Sequence, residues 1–191
     1  DSEINPFSKL QQISKKRNLK LVRINKDFEK IKNTQDSSIS DYKIKNLAMA
    51  IKALKLCNLK EKLILRCIKK LKDIDGRLEL VRKFKNNIKV FVDYAHTPDA
   101  LSKTLKSLKN NNENNISVVF GCGGDRDKKK RPIMAKIANN YCEKIYITDD
   151  NPRYENPSNI RKTLSKYISK NKLFNIGNRN LAIKKAIQNA Q

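Results

Sequence analysis

Between residues 89 and 168 the chain repeats one pattern three times: a short β-branched run, a dense polar cluster, then a helix that opens on or beside a proline. The runs are Lys89–Asp93, Ser117–Phe120 and Lys144–Thr148, and helices are predicted over Pro98–Leu108, Pro132–Tyr141 and Pro157–Ile168. A fourth run, Leu173–Ile176, precedes a helix over Asn180–Asn189. Thr97 and Asn156 stand where N-caps belong, and proline in the first helical turn loses only an amide that has no partner anyway. Strands that alternate with helices at this spacing need right-handed crossovers. The expected class is therefore α/β, a Rossmann-like, mostly parallel sheet with helices on both faces.

In such sheets ligands bind beyond the carboxyl ends of the strands, and the three polar clusters are expected to converge there. The third cluster, Asp150-Asn151-Pro152-Arg153, puts a carboxylate, an amide and a guanidinium on one loop. Arg153 suits a carboxylate held by both ends of the guanidinium, and Asp150 with Asn151 suits an ammonium. The alternative is an exposed Asx-Pro turn with an incidental arginine. The first cluster holds Asp93 and His96 ahead of a helix N-terminus, which favours an anion, although a histidine beside a cap can also be plain surface. The second, F-G-C-G-G-D-R-D-K-K-K-R-P from Phe120 to Pro132, has glycines that allow close backbone approach to a ligand. Arg126 lies within it and Arg131 near its end. It is neither a P-loop nor a G-x-G-x-x-G turn, and G-x-x-x-x-G-K-[ST] is absent from the whole chain.

Net charge is +24, which raises the possibility of a basic nucleic-acid-binding module. Only ten of the 43 basic residues are arginine, tryptophan is absent and aromatic residues make up 6%, so stacking surfaces for bases are scarce and no specific nucleic-acid partner is expected. Four of those arginines, Arg77, Arg126, Arg131 and Arg153, lie in the motifs. The four cysteines form no C-x-x-C pair and there is one histidine, so a metal site is not expected and reduced thiols in the cytoplasm are. No apolar run approaches the ~20 residues that span a membrane, and no secretory signal is expected at the start.

Asp75-Gly76 breaks the pattern and is taken as a domain boundary. Before it, a helix is predicted over residues 5–17 with Asn5 as N-cap, a strand over Leu19–Ile24, and a polar linker over 25–41. Two helices follow, with stripes Ile44, Leu47, Ala48, Ile51, Leu54 and then Leu63, Ile64, Cys67, Ile68, Leu71. The reading is a partial α/β segment. Its lysine-rich outer faces are read as solvated rather than membrane-bound.

Four ordered motifs, G-R-L-E at 76–79, D-Y-A-H-T-P-D-A-L at 93–101, G-C-G-G-D-R-D-K-K-K-R-P at 121–132 and D-N-P-R-Y-E-N-P at 150–157, resemble the C-terminal part of the Mur ligases. Among them the likeness is to the ligases that add the third residue of the peptidoglycan stem peptide. Residues 178–186 resemble the family's D-R-x-x-A-I-x-x-A, with Asn178 where Asp is usual. The resemblance implies ATP-dependent amide formation with Mg2+. The D-Glu γ-carboxylate of UDP-MurNAc-L-Ala-D-Glu becomes an acyl phosphate, which the amine of meso-diaminopimelate attacks. Carried over by motif, Arg126, Asp150, Asn151, Pro152 and Arg153 are implied to bind meso-diaminopimelate. Arg77, Asp93, His96 and Arg131 are implied to serve the nucleotide or domain closure.

By the same resemblance, residues 1–75 are a remnant of the central ATP-binding domain without its P-loop, and 76–191 are the C-terminal domain without its last elements, a G-K-G-H-E segment among them. The chain alone is thus expected to be inactive. A sister ligase adding L-lysine is the alternative within the family, and D-N-P-R argues against it because lysine has no distal carboxylate for Arg153.

Overall fold

A computed structural model describes residues 6–33, 41–68, 70–71, 74–110 and 115–190. The chain divides into two compact units, Asp1–Leu71 and Lys72–Gln191.

Over its described residues the first unit is helical: α1 (Pro6–Lys16), α2 (Asn25–Lys32), α3 (Asp41–Leu56) and α4 (Glu61–Ile68). Ile44, Ala48 and Ile51 of α3 share one face and are buried, as is Ile64 of α4. Three expectations are corrected here. Leu19–Ile24 is not a strand: alternation alone makes none without a partner, and no strand lies beside it among the described residues. The segment taken as a linker contains α2, whose Phe28 ring has the ammonium groups of Lys32 and Lys45 within 5.6 Å of its centre, while Asp27 pairs with Lys52 of α3 at 3.3 Å. Packing on α3 supplies what the short sequence N-K-D-F-E-K-I-K cannot supply alone. Of the second stripe, Leu63, Cys67 and Leu71 are exposed. The proposed cap Asn5 and residues 34–40 lie outside the described residues.

The second unit opens with an antiparallel pair, β1 (Glu79–Lys83) and β2 (Lys89–Val92), irregular between Leu80 and Arg82. The strand expected from residue 89 is therefore present, but its hydrogen-bonded neighbour is β1, a strand the repeat pattern did not reveal. The parallel sheet has the order β3 (Ser117–Phe120), β4 (Lys144–Ile147), β5 (Leu173–Asn175). Around it lie α5 (Pro98–Asn110), α6 (Lys130–Tyr141), α7 (Pro157–Ser165) and α8 (Arg179–Gln188).

Alternation along β4 explains the layers. Ile145 and Ile147 point into a core built with Leu101 and Leu105 of α5, Met134 and Ala138 of α6, and Ile160 and Leu164 of α7. Tyr146 points the other way, against Ala182 and Ala186 of α8, and stacks on Phe174 with centroids 4.5 Å apart. Stepping from β3 to β4 to β5 in one direction puts both crossover helices on one face. Among the described residues of this unit, α8, after the last step, covers the other. The caps form as read: Thr97 Oγ1 accepts the Ala100 amide at 3.3 Å, and Asn156 Oδ1 accepts the Ser158 amide at 2.9 Å. Asn178 also caps, accepting the Leu181 amide at 3.0 Å, so the isosteric neutral amide does the capping work of the family's usual aspartate.

Candidate functional site

The loops leaving β3 and β4 press against each other at the carboxyl edge of the parallel sheet. The Gly124 amide donates to the Asn151 carbonyl at 3.0 Å, and Arg153 Nη1 donates to the Gly124 carbonyl at 2.6 Å. A Cβ on Gly124 would overlap the Pro152 carbonyl oxygen and lie 2.6 Å from its carbon. One on Gly121 would overlap the Thr148 carbonyl oxygen. These glycines are therefore needed for loop against loop, whereas the sequence suggested close approach of a ligand.

A second layer of contacts braces the same two loops. The Asp125 amide donates to Glu155 Oε1 at 2.7 Å, and the Tyr154 amide donates to Asp125 Oδ2 at 3.0 Å. Arg131, only 4% exposed, donates from Nη2 to Glu155 Oε1 at 2.8 Å, from Nη1 to Oε2 at 3.0 Å, and from Nη2 to the Gly123 carbonyl at 3.3 Å. Hydrogen bonds from Arg131 and from the Asp125 amide hold the Glu155 carboxyl down at about 2, and the Glu155 bond raises the Arg131 guanidinium in turn. Arg131 is thus committed to the protein itself. The nucleotide role carried over to it does not fit a buried guanidinium with both ends taken by a carboxylate. Cys122, the cysteine of this glycine loop, is buried; burial pushes its thiol up, so it is no poised nucleophile.

What this bracing leaves outward is the charge available to a ligand. Arg126 is exposed and has no hydrogen bond or ion pair among the described residues. Arg153 is exposed in left-handed backbone, φ 49°, and uses one guanidinium nitrogen on Gly124. Asp150 Oδ1 accepts the Asn151 amide at 2.8 Å, and Oδ2 lies 3.8 Å from Arg179 Nη1. The side-chain amide of the exposed Asn151 has no hydrogen bond among the described residues, and Pro152 shapes the turn, its carbonyl accepting the Glu155 amide at 3.0 Å. Beside them Asp149 pairs with Arg161, whose Nε donates to Asn175 Oδ1 at 2.9 Å. Glu155, Arg161 and Arg179 were missed as site components. Glu155 was visible within D-N-P-R-Y-E, but partners 24 and 30 residues away carry no local signal.

The first cluster forms a separate group. Asp93 accepts the Leu78 amide at 2.7 Å on Oδ2, and the Ala95 amide at 2.9 Å and the Thr104 hydroxyl at 3.1 Å on Oδ1. That carboxylate ties the 76–79 turn to the end of β2 and is not presented to a ligand. The Arg77 guanidinium lies 4.5 Å from the centre of the Tyr94 ring, and His96 meets that ring edge-on at 5.1 Å. His96 Nδ1 donates to the Tyr94 carbonyl at 3.0 Å, leaving Nε2 outward. The link to the glycine loop is Lys130, which donates to the His96 carbonyl at 2.9 Å.

Fold and site together define an α/β domain that offers cationic and amide groups at the carboxyl edge of a parallel sheet. Residues 76–191 match the family model "Mur ligase, glutamate ligase domain". The UDP-N-acetylmuramoyl-L-alanyl-D-glutamate–2,6-diaminopimelate ligase of Rickettsia conorii is 41% identical over 153 residues, 79% of this chain and 31% of that protein. The ligase of the same name from Rhizobium meliloti is 43% identical over 121 residues, 63% of this chain and 25% of the relative. A solved structure of such a ligase superimposes with a TM-score of 0.56 at 35% identity, covering 80% of this chain and 32% of that one. The chain belongs to the Mur ligase family. It spans about a third of the length of the curated relatives it matches.

Proposed function

We propose that this chain is the amino-acid-binding C-terminal part of an ATP-dependent ligase that joins meso-diaminopimelate to UDP-MurNAc-L-Ala-D-Glu. The observation that carries the reading is the cross-braced loop pair, which leaves Arg126, Arg153, Asp150 and Asn151 outward on one edge. In this reading the two guanidiniums take carboxylates, and Asp150 with Asn151 takes the ammonium beside one of them. The other amine is thereby oriented as the nucleophile, and positioning of this kind supplies much of a ligase's rate. L-Lysine would leave one guanidinium without a carboxylate.

Residues 1–75 are assigned to the central domain and 76–191 to the C-terminal domain. ATP, which supplies the acyl phosphate, and Mg2+ are assigned to the part of the ligase that carries a P-loop. Among the described residues no three His, Cys, Asp or Glu side chains come together to hold a metal ion. Arg77 and His96 keep a nucleotide-side role in the proposal, with Asp93 holding their turn and Arg131 holding the amino-acid loops. The site of action proposed is the cytoplasm; among the described residues no helix is long and apolar enough to cross a membrane.

The test is steady-state kinetics on an intact ligase carrying this chain. Arg153→Ala should lower kcat/KM for meso-diaminopimelate by about 30-fold or more, because losing one partner of a charge-assisted pair costs roughly 2–5 kcal/mol. The KM for ATP should hold. Arg153→Lys should rescue only in part, since an ammonium cannot form the fork. A wild type that prefers L-lysine, or a mutant with unaltered diaminopimelate kinetics, refutes the assignment.

A further inference from the structure

The residue that joins most of this site together is one to which the ligand reading gives no part. Glu155 Oε1 accepts the Asp125 amide at 2.7 Å and Arg131 Nη2 at 2.8 Å. Its Oε2 accepts Arg131 Nη1 at 3.0 Å and lies 3.4 Å from Lys128 Nζ. One carboxylate thus spans the loop after β3, the start of α6 and the loop after β4. On either side of these contacts the backbone is in the left-handed region at non-glycine residues, Asp125 at φ 48° and Arg153 at φ 49°. Such conformations persist only where the surroundings over-determine them. The outward cations sit next to these pinned points. Arg126 follows Asp125 directly, and Arg153 is two residues before Glu155.

We infer that Glu155 is a positioning residue that sets the separation of Arg126 and Arg153, and through it the preference for a diamino dicarboxylate over a diamino monocarboxylate. The inference rests on the amino-acid-site reading above. Its physical basis is the geometry of the guanidinium–carboxylate fork. A ligand that places two carboxylates on two guanidiniums is sensitive to their spacing. A ligand with one carboxylate needs only one of them and tolerates a shift. Glutamine at 155 could still accept the Asp125 amide, but it offers one oxygen and no charge to Arg131, so the fork opens and the two loops part.

The experiment is an NMR titration of the 15N-labelled 191-residue chain with meso-diaminopimelate and with L-lysine, for wild type, Glu155→Gln and Arg131→Lys. Wild type should show shifts at residues 123–127 and 150–154 with meso-diaminopimelate. At a temperature where circular dichroism shows the variant folded, Glu155→Gln should bind meso-diaminopimelate about ten- to a hundredfold more weakly, the range expected when one of two charge-assisted carboxylate contacts is lost. Its affinity for L-lysine should change by less than about threefold. A purely structural role would lower the melting temperature and leave the ratio of the two affinities unchanged, which would overturn the inference while the amino-acid site stands. Wild type without any response to meso-diaminopimelate would overturn the site reading, and the inference with it. Should Glu155→Gln fail to fold, Arg131→Lys keeps the charge and loses the fork. The same fall in the ratio is expected there, and an unchanged ratio refutes the inference.

Discussion

Replacing Gly124 with alanine adds one methyl group where the two site loops touch. The new Cβ would overlap the Pro152 carbonyl oxygen and come within 2.6 Å of the carbonyl carbon. Its neighbour is proline backbone, which cannot swing away as a side chain could. Two responses are open. The loops can stay together under strain, for which overpacking typically costs about 1–3 kcal/mol. Or they can separate, losing the Gly124–Asn151 hydrogen bond and the Arg153–Gly124 bond. The neutral bond is worth about 1 kcal/mol and the charge-assisted one about 1.5–3 kcal/mol, so parting costs roughly 2.5–4 kcal/mol. Because the overlap is with backbone, the strain falls in the upper part of its range, and the cheaper course costs about 2–3 kcal/mol.

For a unit of this size the melting temperature falls by roughly 3–6 °C per kcal/mol, giving a drop of about 6–18 °C by calorimetry or circular dichroism. Gly76→Ala is the control, because a Cβ there meets nothing within 4 Å and only the φ of +67° is unfavourable. It should cost about 1–2 kcal/mol, a drop of some 3–12 °C, from left-handed backbone alone. It should leave diaminopimelate binding intact, while Gly124→Ala weakens it by unseating Arg153. A Gly124→Ala protein that melts within about 2 °C of wild type would refute the reasoning.

Acid should loosen the loop pair. Because Arg131, the Asp125 amide and Lys128 hold Glu155 down at about 2, its contribution to stability is complete above the ordinary glutamate range near 4.3 and fades as pH falls toward 2. Denaturant melts of wild type and Glu155→Gln should therefore converge between about pH 5 and pH 2, and parallel profiles would count against the pair. A colorimetric thiol reagent should label the exposed Cys57 and Cys67 quickly, while the buried Cys122 and Cys142, the latter's thiol pushed up to about 12, wait for unfolding. Fast labelling of all four in the folded chain would contradict the packing described. The 191-residue chain by itself should release no phosphate from ATP, since it has no G-x-x-x-x-G-K-[ST] to cradle the phosphates. ATP-dependent phosphate release that tracks the purified chain would overturn that expectation.

Local physics was legible in the sequence wherever a residue acts on its own neighbours along the chain. Asn156 and Pro157 mark the start of α7, the β-branched runs mark β3 to β5 within a residue or two, and the unbroken apolar run Ile145-Tyr146-Ile147 fits a strand covered on both faces. Residue chemistry also singled out the Asp150–Arg153 loop, because an amide, a carboxylate and a guanidinium stand together within four residues of sequence, while the family resemblance pointed to Arg126. Tertiary structure alone decided which of these groups remain outward. Arg131 and Arg153 are the same side chain in motifs of equal prominence. One is buried against Glu155, and the other keeps part of its guanidinium free. The pairing of β2 with β1, the helix α2 in a polar stretch, and the need for glycine at 124 are of the same kind. Each depends on a partner brought close by folding, and an ion pair, a strand pairing or a backbone contact has no energy until both partners meet.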